Sequence, residues 1–169
     1  MIPAIRQRNY LQSALYFAIV GILATILVNR LLVVAEIAEK ATMEASVSSL
    51  QSALYARLAF YVLRGDAAAI ASLESTSPFV TAEATAGASY AGEFPGIAPA
   101  SVSDGTWYFD SLRHELVYRV RHAGHLRMEA ETGRQNEIRY RTRIVRAGNG
   151  AYRGVEFRPV APFRWEPVP

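Results

Sequence analysis

The chain has no cysteine and only one lysine, Lys40, among its 18 basic residues. The first absence excludes a disulfide framework and any cysteine-ligated zinc site. The second leaves the positive charge on arginine, a bias of composition that by itself names no partner. Proline is missing from Ala4 to Thr76, and before Gly65 the only glycine is Gly21. Nothing in that long opening stretch stops a helix. From Tyr10 to Asn29 there is no Asp, Glu, Lys or Arg. Motifs of known chemistry are missing too. Gly87-Ala88-Ser89-Tyr90-Ala91 fails the G-x-S-x-G elbow at its last position, and there is no P-loop, dinucleotide glycine fingerprint or EF-hand loop. No enzymatic activity, cofactor or small-molecule substrate is expected.

What stands at Tyr10–Asn29 is YLQSALYFAIVGILATILVN. About 20 residues rising 1.5 Å each cross a hydrocarbon core of about 30 Å, and in lipid a helix satisfies every backbone polar group internally. The segment reads as a transmembrane helix. A buried core helix is the alternative that its length and lack of charge weigh against. A secretory signal peptide would have a shorter apolar core, about 7–15 residues, and a small-x-small cleavage site. Here the run passes Arg30 into LLVVA and on into helix-like sequence, so retention is expected. Arg6, Arg8 and the terminal amine precede the span and Arg30 follows it, a small asymmetry that favours residues 1–9 as a cytoplasmic leader. Ala14-xxx-Ala18 and Gly21-xxx-Thr25 are small-xxx-small spacings that permit close approach of another helix.

Beyond the span, Val34, Ile37, Ala41, Val47, Leu50, Leu54, Leu58 and Tyr61 recur at three- and four-residue steps, the stripe of an amphipathic helix. One helix is predicted over 10–64, with residues 30–64 as its amphipathic half, a Glu36–Lys40 pair on its surface and Gly65 as its left-handed cap. Asp66 caps a short second helix over 67–74, and Pro78 ends that region. Residues 65–105 otherwise read as an irregular connection.

Period-two alternation then runs from 106 to 158. Trp107 and Phe109 oppose Tyr108; Leu116, Tyr118 and Val120 oppose Val117, Arg119 and Arg121. Leu126, Met128 and Ala130 form another face, as do Ile138, Tyr140, Thr142 and Ile144, then Val155 and Phe157. This predicts four to five antiparallel strands with one buried face. The helix stripe is the available cover, so Leu50, Leu54, Leu58 and Tyr61 are expected against Trp107 and Tyr118. Residues 159–169, with four prolines, read as an extended tail. The fold class is α+β.

Residues 66–110 carry acids and no Lys or Arg, whereas arginines crowd 113–164. Arg139-x-Arg141-x-Arg143 puts three on one sheet face. It is either a candidate partner surface or a solvated face with cross-strand ion pairs. Nucleic acid is not an expected partner, because the anchor keeps the head outside the cytoplasm. His122 and His125 flank a glycine turn; two imidazoles without a third ligand read as solvated turn residues, not a metal site.

The order of these parts, with AIVGILATIL (Ala18 to Leu27) and WYFDSLRHELVYRV (Trp107 to Val120), resembles type IV pilins and type II secretion pseudopilins. Their helix commonly reads AILGILAAIA, and their first β-hairpin has a similar W-Y-[FY]-D and L-V-Y pattern. The resemblance implies a pilin-like fold, a bacterial inner-membrane location and a periplasmic head. The partners it implies are the lipid bilayer and other pilins or assembly proteins. Gln7, Arg8 and Gln12 stand where the family has its Gly-Phe cleavage site and helix glutamate. The chain is therefore similar to the uncleaved pilin-like biogenesis protein of mannose-sensitive haemagglutinin pili. A membrane-anchored periplasmic binding or sensory module is the alternative.

Overall fold

The computed structural model describes residues 4–81, 89–129 and 135–167, with side chains from Ser13 onward. Helix α1 runs without a break over Ala4–Arg64, 61 residues, about 90 Å at 1.5 Å per residue. Its end is a Schellman cap. Gly65 at φ 66° turns left-handed, Asp66 N–H donates to Tyr61 O at 3.0 Å and Gly65 N–H to Val62 O at 3.1 Å. The Asp66 side chain then accepts from Ala69 N–H at 2.9 Å and starts α2 (Ala67–Ser72). Pro78 does not end a helix; it opens another, α3 (Pro78–Thr81), where its fixed φ suits the first turn.

Among the described residues seven strands follow: β1 (Tyr90–Phe94), β2 (Thr106–Asp110), β3 (Glu115–Arg119), β4 (Leu126–Met128), β5 (Glu137–Arg146), β6 (Tyr152–Pro159) and β7 (Phe163–Trp165). Five form one sheet in the order β1-β2-β3-β5-β6, and β4 pairs with β7 in a separate ribbon. The sheet is mixed, not wholly antiparallel as expected, because β1 lies parallel to β2. This extra strand comes out of the supposedly irregular connection. Its Gly92 sits at φ 104° beside a shift in register, and such a residue breaks the alternation by which a strand is read. The β2–β3 hairpin closes over Ser111–His114, where Asp110 Oδ1 accepts from Leu112 N–H and Arg113 N–H at 3.1 and 3.2 Å.

Trp107, Phe109, Leu116, Tyr118, Ile138, Tyr140, Val155 and Phe157 make the inner face. Met43, Leu50, Leu54 and Leu58 of α1 are buried against it, with Val47 and Tyr61 partly so. Trp107 packs at a tilt among Tyr118, Tyr140 and Phe79 at ring separations of 4.8, 5.9 and 6.1 Å. The opposite face is not simply solvated. Ala98 and Val102 fold over Tyr108 and Val117, so β2 and β3 are buried throughout. The tail is also more than an extended cover, since Trp165 in β7 is buried.

One side chain of α1 works as an edge cap. Gln51 donates from Nε2 to Val155 O at 2.8 Å and accepts Phe157 N–H on Oε1 at 2.7 Å. It thus pairs the outer edge of β6 as a neighbouring strand would. Near the anchor the predicted stripe is off by part of a turn. Val34 and Ile37 are 59 % and 40 % exposed, and Glu36, 4 % exposed, takes the inner position. Consequently the Glu36–Lys40 pair does not form, and Lys40 lies 3.8 Å from Glu44.

Leu54 is fully buried, so Leu54→Ala is expected to destabilise the head by about 2–5 kcal/mol. Gln51→Ala, which strands the Phe157 N–H, should cost about 1–3 kcal/mol. Urea unfolding of the full chain in detergent, followed by near-UV circular dichroism, measures both.

Candidate functional site: the exposed anchor and the joint that mounts the head

The most apolar window of α1 has a mean hydropathy of 2.4 and none of it is buried by the rest of the chain. The helix is long and apolar enough to cross a membrane, which fits a single-pass membrane protein. Ala14, Ala18, Gly21 and Thr25 are all exposed on it. Nothing lies within 4 Å of where a Cβ on Gly21 would stand. The Thr25 hydroxyl donates to Gly21 O at 2.8 Å, so it needs no partner outside the helix. Gln12 falls in α1, but its side chain is outside the described residues.

The outer surface continues past the span without charge. Val34, Ala41, Ala45, Ser52, Ala56, Ala59 and Leu63 share the face opposite Leu54 and are exposed. Thr42, Ser46 and Ser52 donate their hydroxyls back to carbonyls one turn earlier, at 2.9, 2.9 and 3.0 Å. The face is therefore both small and satisfied in its own hydrogen bonds.

The inner face carries the joint. Glu36 and Glu39 stand three residues apart and so project together. Glu36 accepts His125 N–H at 2.8 Å, the His125 ring through Nδ1 at 2.7 Å and the Trp165 indole N–H at 2.8 Å. Glu39 accepts Arg121 N–H at 2.7 Å, His122 N–H at 2.9 Å, His122 Nδ1 at 2.7 Å and Tyr118 Oη at 3.1 Å. An ionised carboxylate only accepts, so each ring presents its Nδ1 proton to the helix. Burial of Glu36 favours its neutral form, but the His125 ring, the His125 N–H and Trp165 together outweigh it and hold the carboxyl below its ordinary range. Tyr118, raised by burial first and then by Glu39, stays a protonated donor.

These contacts correct the reading of His122 and His125 as solvated turn residues. A signal was present: His122-x-x-His125 repeats the spacing of Glu36-x-x-Glu39, the only histidine pair meeting the only acids on the inner half-turn. Among the described residues no three or more His, Asp or Glu are grouped to hold a metal.

The arginine triplet on β5 is not one surface. Arg139 is buried beneath the connection; its Nη1 reaches Asp110 at 3.3 Å and Glu115 at 3.2 Å, and its Nη2 reaches Glu137 at 2.9 Å. Asp110 is itself fully buried, which favours its neutral form, yet Arg113, Arg139 and two backbone N–H groups hold it well ionised. Arg141 is half exposed and also paired with Glu115. Of the three, Arg143 alone is exposed without an ion pair among the described residues. Arg139 is thus removed from any partner surface, because a buried guanidinium is tolerated only with its charges matched. The expected packing residues, Leu50, Leu54, Leu58, Tyr61, Trp107 and Tyr118, lie together in the main core.

No protein-family model, curated protein or solved structure matches this chain.

Glu36 and Asp110 both have depressed carboxyl values in the folded chain. Their stabilisation is complete above the unfolded values of 4.5 and 3.8 and is lost as pH falls through the lower folded values. Stability against pH should therefore fall steeply in acid, and Glu36→Gln should remove part of that slope while lowering stability at neutral pH. Separately, Arg139→Met, which strands the buried Glu137 carboxylate and takes one partner each from Asp110 and Glu115, is expected to cost about 3–5 kcal/mol by chemical denaturation.

Proposed function

We propose that the chain is a non-enzymatic, single-pass inner-membrane protein. It acts as a pilin-like subunit or biogenesis factor of a type IV pilus or type II secretion machine. The leader is cytoplasmic and the head periplasmic. The observation that carries the reading is one unbroken helix, Ala4–Arg64, which is bare and apolar in its first half and holds the head along one face of its second. Such a helix packs against others in and above the bilayer, through small residues such as Ala14, Ala18 and Gly21 and the uncharged outer face that follows. The head then presents a surface specific to the system. Gln12 in place of the family glutamate can hydrogen-bond but cannot pair with a freed amine, so entry into a fibre by the usual cleavage route is not part of the proposal.

A shallow apolar groove supports the second reading, a membrane-tethered periplasmic binding or sensory module. It has a volume of about 380 Å³ and lies between α1 and β6, lined by Val47, Gln51, Tyr140, Phe157, Pro159 and Phe163.

Crosslinking in native membranes followed by affinity purification separates the two. The first reading expects pilins or the assembly platform among the crosslinked partners, and an N-terminus that starts intact. Recovery of neither, with a small apolar ligand raising the melting temperature of the full chain, would favour the second.

A further inference from the structure

The β4–β7 ribbon sets Arg127 directly opposite Arg164. Like charges in that position repel, and little on the ribbon offsets them. Arg164 lies 3.4 Å from Glu129, but both are largely exposed, and such a pair is weak and screened. Among the described residues, Arg127 donates only to the carbonyls of Gly124 and Leu126. Arg121, on the turn that leads into the ribbon, is exposed, and among the described residues its guanidinium donates only to Asp104 O. The nearest helix acids, Glu36 and Glu39, are already taken by the turn. The exposed acids of the ribbon among the described residues are Glu129 and Glu166. Leu126 and Trp165 face inward and are buried, so their neighbours Arg127 and Arg164 stand on the outer face.

The ribbon is also the part of the head nearest the anchor. Trp165 and His125 bond Glu36, the first buried residue along α1 among the described side chains. From Asn29 to Glu36 the helix rises only about 10 Å, and the headgroup layer on each side of a bilayer is itself about 5–7 Å deep. Exposed Leu32 and Val34, at 54 % and 59 %, carry the apolar surface almost up to the ribbon.

We propose that Arg121, Arg127 and Arg164 seat the head on the lipid phosphates of the bilayer that holds α1, with Arg30 in the same layer. The proposal rests on the reading of α1 as membrane-spanning. Guanidinium groups match phosphate oxygens in geometry as well as charge. The lipid is the occupant because the helix holds the ribbon beside it continuously. The contact fixes the tilt of the head against the membrane, so the outer face of α1 meets neighbouring helices at one angle.

The test is hydrogen exchange of the full chain in nanodiscs of phosphatidylcholine, with and without phosphatidylglycerol. Peptides covering 121–129 and 160–167 should be protected about fivefold more in the anionic discs. The turn at 147–151, near the far end of the head, should not change. The R127Q/R164Q double variant, with unfolding unchanged, should lose the difference. Equal protection in both discs overturns the proposal, as does protection that survives the double variant or is reproduced by inorganic phosphate in phosphatidylcholine discs. Flotation with vesicles after alkaline carbonate tests insertion separately. A chain that floats yet shows no lipid-dependent protection defeats this inference alone, whereas one that does not float defeats the membrane reading beneath it.

Discussion

One helix presents two kinds of surface. Along its apolar run it is bare on every side; along the head it is buried on one stripe and exposed elsewhere. The sheet depends on the second part, because its inner face of Trp107, Tyr118, Ile138 and Tyr140 is covered by α1. Each buried leucine of Leu50, Leu54 and Leu58 contributes about 1.5–3 kcal/mol by leaving water. A proline in this stretch would kink or break the scaffold that carries the head, and each added glycine would weaken it by about 1 kcal/mol, which gives a physical reason for a long segment so poor in both.

Apolar packing holds the head on the helix but does not say where along it. Hydrophobic contact is non-directional, and an apolar stripe continuous with an apolar anchor offers similar surface at several registers. Hydrogen bonds need particular distances and angles. Glu36, Glu39 and Gln51 each grip backbone N–H groups of the head, at the turn before β4 and at the edge of β6. A slide of one turn would leave two buried carboxylates and several N–H groups unpaired, each at a cost of about 1–3 kcal/mol or more. Leucines therefore supply the attraction and three polar side chains the register.

The parts legible in the amino-acid order are those where one periodicity acts alone. The apolar run, the stripe from Leu50 to Tyr61 and the alternation of Trp107, Tyr108 and Phe109 each follow from burial on one side of a regular element. The unread parts are those where burial is polar or two-sided. Glu36 looked like a surface residue because a carboxylate on a helix usually is one. Its burial depends on donors from His125 and Trp165, far along the chain. Arg139 looked like part of an open row because alternation says which face a side chain takes but not what covers that face. The covering segment, 95–104, has no periodicity to announce it. Strand β1 was hidden for a similar reason, since Gly92 and a register shift interrupt its pattern.

The outer face of α1 bears on function more than any pocket does. Soluble monomers rarely leave large contiguous apolar patches in water. Here Val34 and Ile37 extend the anchor's surface toward the head, and Phe60, Val62 and Leu63 stand exposed at the other end of the helix. Between them lie alanines and serines, with several hydroxyls already bonded within the helix. Water gains little from such a surface, whereas another helix can approach it closely without stranding a charge or a donor. Arg139 and its carboxylates, by contrast, are sealed under the connection and serve the interior of the head. The charged chemistry is thus turned inward at the sheet and the rod is left plain along its outer face.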